Sequence, residues 1–383
     1  MNENNDTTLR LPKIAFEMPI TDSIMELEQL RYKILQGTTQ SDVFFQLKHV
    51  FHMLESIGSS RIEGNNTTVM DYVESTKFPT SKSLFDSEDI LEIKNIEAAM
   101  LYIEDNITTI EINKMFIREL HTLVVEGLSA HKEGASHPGL FREVNVKING
   151  STHVPPDYEQ IDAMMDELMA FVNQSQTPKY DLLKIAIAHH RFVWIHPFEN
   201  GNGRVVRLFT YALLLKFIFK SGKRIINPTA VFCSDRNKYY DYLSKADKGS
   251  DQGLIEWSEY VLSGLKTEIE KIDKLLDYQY LHNNILQPML VDALNNRYIS
   301  PQEFNILKIT ISKQTIQAGD IKNILKEKTS SDISRIIREL INKQMLRPIN
   351  LGARKYTISF HNNYLLRSIL SVLDKNNFLP NNK

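Results

Sequence analysis

Apolar residues recur through most of the chain at intervals of three and four, the spacing that lines one face of an α-helix. Ile24, Leu27, Leu30 and Ile34, then Phe44, Leu47, Val50, Phe51 and Leu54, predict two helices over 21–54, broken at Gly37-Thr38-Thr39. The second runs toward 56–66, where small polar residues, one acid and Gly64-Asn65 signal a helix end and a loop. Residues 1–20, with Leu11-Pro12 and Met18-Pro19, read as an extended arm. Further helices are expected over 69–75, 86–106, 111–125, 158–174 and 180–195, with loops at 78–81 and 134–139. Another carries Leu208, Phe209, Ala212, Leu213, Leu215 and Phe217 on its apolar side and ends near 220–222. Pro228 opens a new element, 235–246 is an amphipathic helix, and 254–290 forms one or two connecting helices.

Two regions depart from the simple helical period. Residues 141–148 alternate like a short strand, Asn149-Gly150 is a strong hairpin turn, and 152–156 would be the return strand. Further on, Ser300 stands as an N-cap, Pro301 at the first helical position and Glu303 three residues after the cap. Helices over 301–312, 318–327 and 330–343 follow, then short strands at 345–348 and 355–358 around Leu351-Gly352-Ala353-Arg354. That order resembles a winged helix-turn-helix, with Ser334, Arg335, Arg338 and Lys343 projecting from the third helix. The fold class expected is all-α with one small β-hairpin.

Length suggests two or three domains, at about 150 residues each. A chain 42% hydrophobic and 24% charged is an ordinary globular balance. The single cysteine, Cys233, excludes an internal disulfide and a cysteine metal cluster. The start of the chain lacks the basic and apolar regions of a signal peptide, and no apolar run is long enough to span a membrane. The expectation is a cytoplasmic protein with no membrane contact. Charge is unevenly spread. Residues 291–383 hold 15 basic against 7 acidic residues, a balance of +8, and the remainder balances at −10. A basic C-terminal part suggests an anionic partner there, with DNA the candidate.

The densest chemistry lies in His-Pro-Phe-Glu-Asn-Gly-Asn-Gly-Arg-Val-Val-Arg, residues 196–207. Pro197 removes a donor and steers His196 out of helical geometry. Gly201-Asn202-Gly203 allows a backbone turn whose N–H groups converge, at the start of a helix whose dipole favours an anion. Arg204 and Arg207, three apart, share a face of the first turn. Cations are unfavourable at that end unless an anion sits with them. Together these residues describe a phosphate cradle, with His196 the one base of near-neutral pKa beside it.

The stretch resembles the signature of the Fic family, His-Pro-Phe-x-(Asp/Glu)-Gly-Asn-Gly-Arg-x-x-Arg, and departs from it only at Asn200, where the family has an acid. Upstream, Ser59, Glu63 and Gly64 resemble the family's inhibitory motif, (Ser/Thr)-x-x-x-Glu-(Gly/Asn). The resemblance implies an all-helical Fic core that transfers AMP from ATP to a Ser, Thr or Tyr hydroxyl of a target protein. It implies His196 as general base, the Gly201–Gly203 backbone and Asn202 on the phosphates, and Arg204 and Arg207 on the β- and γ-phosphates. Glu63 would pair with Arg207 and hold the enzyme off. The hairpin would be a target-clamping flap with Val154 nearest the nucleotide, and Tyr239 or Tyr240 would stack on adenine. Mg²⁺ would bind at position 200, where Asn200 offers a carbonyl oxygen without charge. The domains expected are 1–110 with the inhibitory motif, a Fic core at 111–285, and a winged-helix-like domain at 286–383. Two alternatives remain open: removal of AMP or transfer of another phosphate-containing group, and a DNA-binding regulator whose core only senses nucleotide. Oligomeric state is open too, with a homodimer among the options.

Overall fold

The computed structural model describes residues 9–32, 37–77, 87–148, 150–174, 177–219, 225–350 and 352–378. The loop expected at 78–81, the helix end at 220–222, and Asn149 and Leu351 lie outside them. In chain order the helices are α1 (Pro19–Tyr32), α2 (Ser41–Glu63), α3 (Val69–Lys77), α4 (Ser87–Asn106), α5 (Lys114–Val125), α6 (Ile161–Asn173), α7 (Asp181–Ile195), α8 (Asn202–Leu213, continued by a π turn, Leu214–Ile218), α9 (Thr229–Cys233), α10 (Arg236–Ala246), α11 (Asp251–Asp273), α12 (Tyr278–Leu281), α13 (Gln287–Asn295), α14 (Pro301–Lys313), α15 (Ala318–Ile324), α16 (Ser330–Asn342) and α17 (Asn363–Lys375). The class is all-α, with one two-stranded antiparallel sheet, β1 (Leu346–Pro348) and β2 (Tyr356–Ile358).

The chain packs as two compact units. One comprises residues 1–34, 52–67 and 84–270, the other 35–51, 68–83 and 271–383. These units cut across the three consecutive stretches expected from the sequence. The first unit is centred on α7 and α8. Ala186, Phe192, Ile195, Phe198, Val205, Phe209 and Ala212 are all fully buried there, against Leu120, Val124 and Trp257. Trp257 satisfies its indole N–H on the carbonyl of Ala186 at 2.7 Å, as a buried tryptophan needs.

Helix α2 runs through Ser56, Ser59 and Ser60 to Glu63 and stops at the Gly64-Asn65 signal expected from the sequence. Those serines are buried, and Ser56 donates back to the carbonyl of His52 at 2.9 Å. Small polar side chains favour turns in isolation, but here they are buried inside the helix, and Ser59 meets Arg207 of α8 through its hydroxyl and its carbonyl.

The expected hairpin at 141–156 forms no β-ladder among the described residues. Pro155 and Pro156 lack the N–H groups a return strand would donate, and an isolated two-stranded ribbon is marginal in any case. Side chains hold the two arms instead. Arg142 donates to the carbonyls of Val144 at 2.8 Å and Pro156 at 2.6 Å. Asn145 donates to Asp157 at 2.9 Å and accepts the N–H of Tyr158 at 2.9 Å.

In the second unit, Ser300 and Glu303 form the reciprocal capping box at the start of α14. Helices α14, α15 and α16 are followed by β1 and β2, and Ile316 bridges to Tyr356. Ile333, Ile336, Ile337 and Leu340 bury one face of α16, while Ser334, Arg335 and Arg338 stand exposed on the other.

Candidate active site

Helix α7 stops at Ile195 because His196 turns left-handed, at φ 52° and ψ 62°. The Arg142 side chain holds that turn, donating Nε–H to the carbonyl of His196 at 2.9 Å, while its backbone N–H donates to Pro197 at 2.9 Å. The imidazole Nδ1 is buried without a hydrogen-bond partner. Burial first, and then the Arg142 cation, push the pKa of His196 down to about 4. The ring is therefore neutral at physiological pH, the state in which it can accept a proton.

Asn202 closes the loop that follows. Its side chain accepts the N–H of Phe198 at 2.9 Å and donates to the Phe198 carbonyl at 2.8 Å. That side chain is buried, so it braces the loop from within and does not face an incoming phosphate. Gly201 takes φ 76° at the N-cap of α8, a conformation that glycine adopts without strain. The first N–H groups of α8 have no partner within the helix and face outward from this cap.

His121, on α5, is a part of the site that sequence reasoning missed. It accepts the N–H of Gly139 on Nδ1 at 2.9 Å, so the proton sits on Nε2, which donates to the carbonyl of Asn200 at 3.3 Å. Its ring stacks on Phe198 at 3.8 Å and 3°. Burial drives its pKa to about 4, which keeps this tautomer neutral. A lone histidine within an apolar helix carries no sequence signal for such a role.

Both signature arginines are buried and both are met by carboxylates. Arg207 donates Nη2–H to Glu63 at 2.6 Å and to the Ser59 carbonyl at 3.0 Å, and Nε–H to the Ser59 hydroxyl at 2.8 Å. Burial pushes the Glu63 pKa up, but Arg207, followed by Arg204, outweighs it, and the net shift is downward. Arg204 lies 2.8 Å from Glu133 and 3.5 Å from Glu92. Asn65 donates to the other oxygen of Glu92 at 2.8 Å. The unfavourable placement of two cations at a helix N-terminus is thus relieved by acids from three other segments. Earlier on α2, Glu55 accepts the N–H of Thr229 at 2.8 Å, and burial pushes its pKa up to about 8.

His196, Gly201, Gly203, Arg204, Arg207 and Glu63 therefore converge. The remaining expected residues sit differently. Tyr239 is buried, its hydroxyl 3.0 Å from Nε2 of His189, among Phe232 and Trp257. That leaves no open ring face for a base. Tyr240 is exposed beside it, with Arg236 over its ring. Val154 is 72% exposed and lines a cavity of about 390 Å³ with His153, Arg191 and Trp194. Asn200, the expected Mg²⁺ ligand, points its amide Nδ2 at the carbonyls of Gly134, at 2.9 Å, and Lys132, at 3.3 Å. Mg²⁺ takes hard oxygen ligands, with one or two carboxylates beside phosphate. An amide N–H pair anchored on two carbonyls does not fit that role. No group of three or more His, Cys, Asp or Glu among the described residues is arranged to hold a metal. No helix among them is long and apolar enough to cross a membrane.

Residues 111–214 match the family model described as Fic/DOC. A protein adenylyltransferase Fic of Nematostella vectensis is 27% identical over 264 residues, covering 64% of this chain and 55% of its own length. One from Aedes aegypti is 31% identical over 219 residues, covering 55% of this chain and 39% of its own length. The chain thus spans about half the length of the curated relatives it matches. Among solved structures, a Fic family protein from Desulfovibrio desulfuricans G20 aligns over 91% of this chain and 98% of its own, with a TM-score of 0.57 at 17% identity. A Fic domain containing signaling protein from Bacteroides thetaiotaomicron aligns over 66% and 97%, with a TM-score of 0.53 at 20% identity. The two likenesses agree on the fold.

Proposed function

We propose that this chain, whose residues 111–214 match the Fic/DOC family model, transfers AMP from ATP to a hydroxyl side chain of a target protein. The observation that carries the reading is a neutral histidine, His196, one loop away from a helix N-terminus with two buried arginines. His196 takes the proton of the target hydroxyl, and the hydroxyl oxygen attacks the α-phosphorus. The bond from the α-phosphorus to the bridging β-phosphate oxygen breaks, and pyrophosphate leaves. The first N–H groups of α8 meet the phosphates, and Arg207 neutralises charge on the leaving group. Glu63 on Arg207 competes for the same guanidinium, so the resting chain is autoinhibited. The test is labelling with ATP read by intact mass. An added AMP that disappears in His196→Ala supports the reading, and undiminished labelling in that variant contradicts it. A different mass increment would identify transfer of another group.

A second reading concerns the C-terminal part, 286–383. The order of α14 to α16, β1 and β2 and the exposed Arg335 and Arg338 on α16 favour a winged-helix-like domain that binds DNA. Full-length protein should bind duplex DNA with an affinity that falls steeply with salt. Arg335→Ala with Arg338→Ala should flatten that salt dependence.

A further inference from the structure

Three successive carbonyls of one loop are gripped by the signature. Asn200 Nδ2 donates to the carbonyl of Lys132 at 3.3 Å and to that of Gly134 at 2.9 Å. Between them, the carbonyl of Glu133 accepts from Arg204 Nη2 at 2.6 Å, and the Glu133 carboxylate accepts from the same nitrogen at 2.8 Å. The residues that Asn200 holds are therefore the two neighbours of Glu133. The loop is also closed on itself, since Lys132 and Gly134 both donate to the Ser129 carbonyl, at 3.0 and 2.9 Å. A Cβ on Gly134 would lie 2.2 Å from the Leu128 carbonyl oxygen, so the backbone can pass there only as glycine. His121 adds a further tie, bonded on one side to Gly139 and on the other to the Asn200 carbonyl.

An aspartate at position 200 would set carboxylate oxygens against two carbonyl oxygens, with no proton to share. The local chemistry calls for a donor, and asparagine supplies two N–H groups. We propose that Asn200 is a positioning residue and not a cation ligand. By holding Lys132 and Gly134 it seats Glu133 on Arg204, which makes the loop 129–134 a second acidic gate over the phosphate cradle. Glu63 covers Arg207 and Glu133 covers Arg204, each from its own upstream segment. A polyphosphate meets both carboxylates as like charges, and Glu133 lowers nucleotide affinity as long as Asn200 holds its loop. This inference rests on the nucleotide-binding reading above.

The experiment uses the full chain and two readouts. In the first, ATP binding is titrated calorimetrically, in Mg²⁺ and again in EDTA, for wild type, Asn200→Ala, Asn200→Asp, Glu133→Gln and the double variant Asn200→Ala with Glu133→Gln. Glu133→Gln should bind ATP about fivefold more tightly, the size expected of a half-exposed ion pair. Asn200→Ala should shift affinity the same way, the double variant no further than either single one, and EDTA should leave the pattern intact. Asn200→Asp should behave as Asn200→Ala. Independent, additive effects, or an Asn200 effect that vanishes in EDTA, would overturn the proposal. In the second readout, hydrogen exchange without ligand should quicken at the amides of Lys132 and Gly134 in both Asn200 variants. Unchanged exchange there overturns the seating role. If no variant binds ATP, the nucleotide reading fails, and exchange still decides whether Asn200 holds the loop.

Discussion

Glu63 Oε1 lies 2.6 Å from Arg207 Nη2 and occupies the space over the one residue of α8 that lacks a Cβ. A Cβ built on Gly203 would stand 2.1 Å from that oxygen and 3.0 Å from Arg207 Nη1. A side chain at position 203 would have to displace the end of the Glu63 side chain from above Arg207.

Gly203→Ala should push the Glu63 carboxylate off Arg207 without opening the cradle, because the methyl group takes the vacated space. The expected outcome is a loss of about 1–3 kcal/mol of stability from overpacking. AMP labelling should stay at or below the wild-type rate. Thermal unfolding and labelling measured side by side check this. A variant that labels as fast as Glu63→Gly would show that position 203 tolerates a side chain against the phosphates.

The pH dependence of labelling follows from His196, whose pKa burial and Arg142 hold at about 4. A general base acts in its neutral form. Because the folded pKa lies below the ordinary 6.5, the ring stays neutral from pH 8 down through pH 5. The rate should be flat across that window and fall only as the pH nears 4. An acid limb centred near 6.5, in protein still folded by circular dichroism, would contradict the assignment.

Stability should respond to pH in the opposite sense through Glu55. Burial raises its folded pKa from 4.5 to about 8. A carboxyl raised on folding contributes stability that is fully present below the unfolded value. That stability is lost as pH rises toward the folded value. Between pH 7 and 9 this one group should cost about 1–2 kcal/mol. Glu55→Gln keeps an acceptor for Thr229, so its unfolding midpoint should decline less over that interval. Parallel slopes for the two proteins would show that Glu55 is not the group responsible.

What could be read from sequence divides along a physical line. His196, Gly201, Arg204 and Arg207 sit in one contiguous run, where local spacing already fixes which side chains meet, and periodicity gave most helices of the chain. Glu133 lies 71 residues from its partner Arg204, and Asn65 and Glu92 reach the site from two further segments. No local pattern marks such long-range partners. Position 200 shows the same limit. Its departure from the Fic signature was visible, but the two carbonyls that make asparagine the fitting residue belong to a distant loop. The end of α2 is legible at Gly64-Asn65, whereas the alternation over 141–156 predicts a ladder that Pro155 and Pro156 do not support.

On the proposed function, an acid of the chain itself, Glu63, holds the site closed by pairing with Arg207. The Glu63–Arg207 pair is buried at the arginine and tethered covalently through α2, so separation leaves a desolvated charge and reassociation is fast. Glu63→Gly removes the carboxylate and leaves Arg207 for phosphate. The most direct measurement is the initial rate of AMP labelling at saturating ATP for wild type, Glu63→Gly, and Glu63→Gly with Arg207→Ala. The account predicts about a tenfold or greater rise in the single variant, from the loss of a charged hydrogen bond of roughly 1.5–3 kcal/mol, and loss of that rise in the double variant. Equal rates for wild type and Glu63→Gly would contradict it.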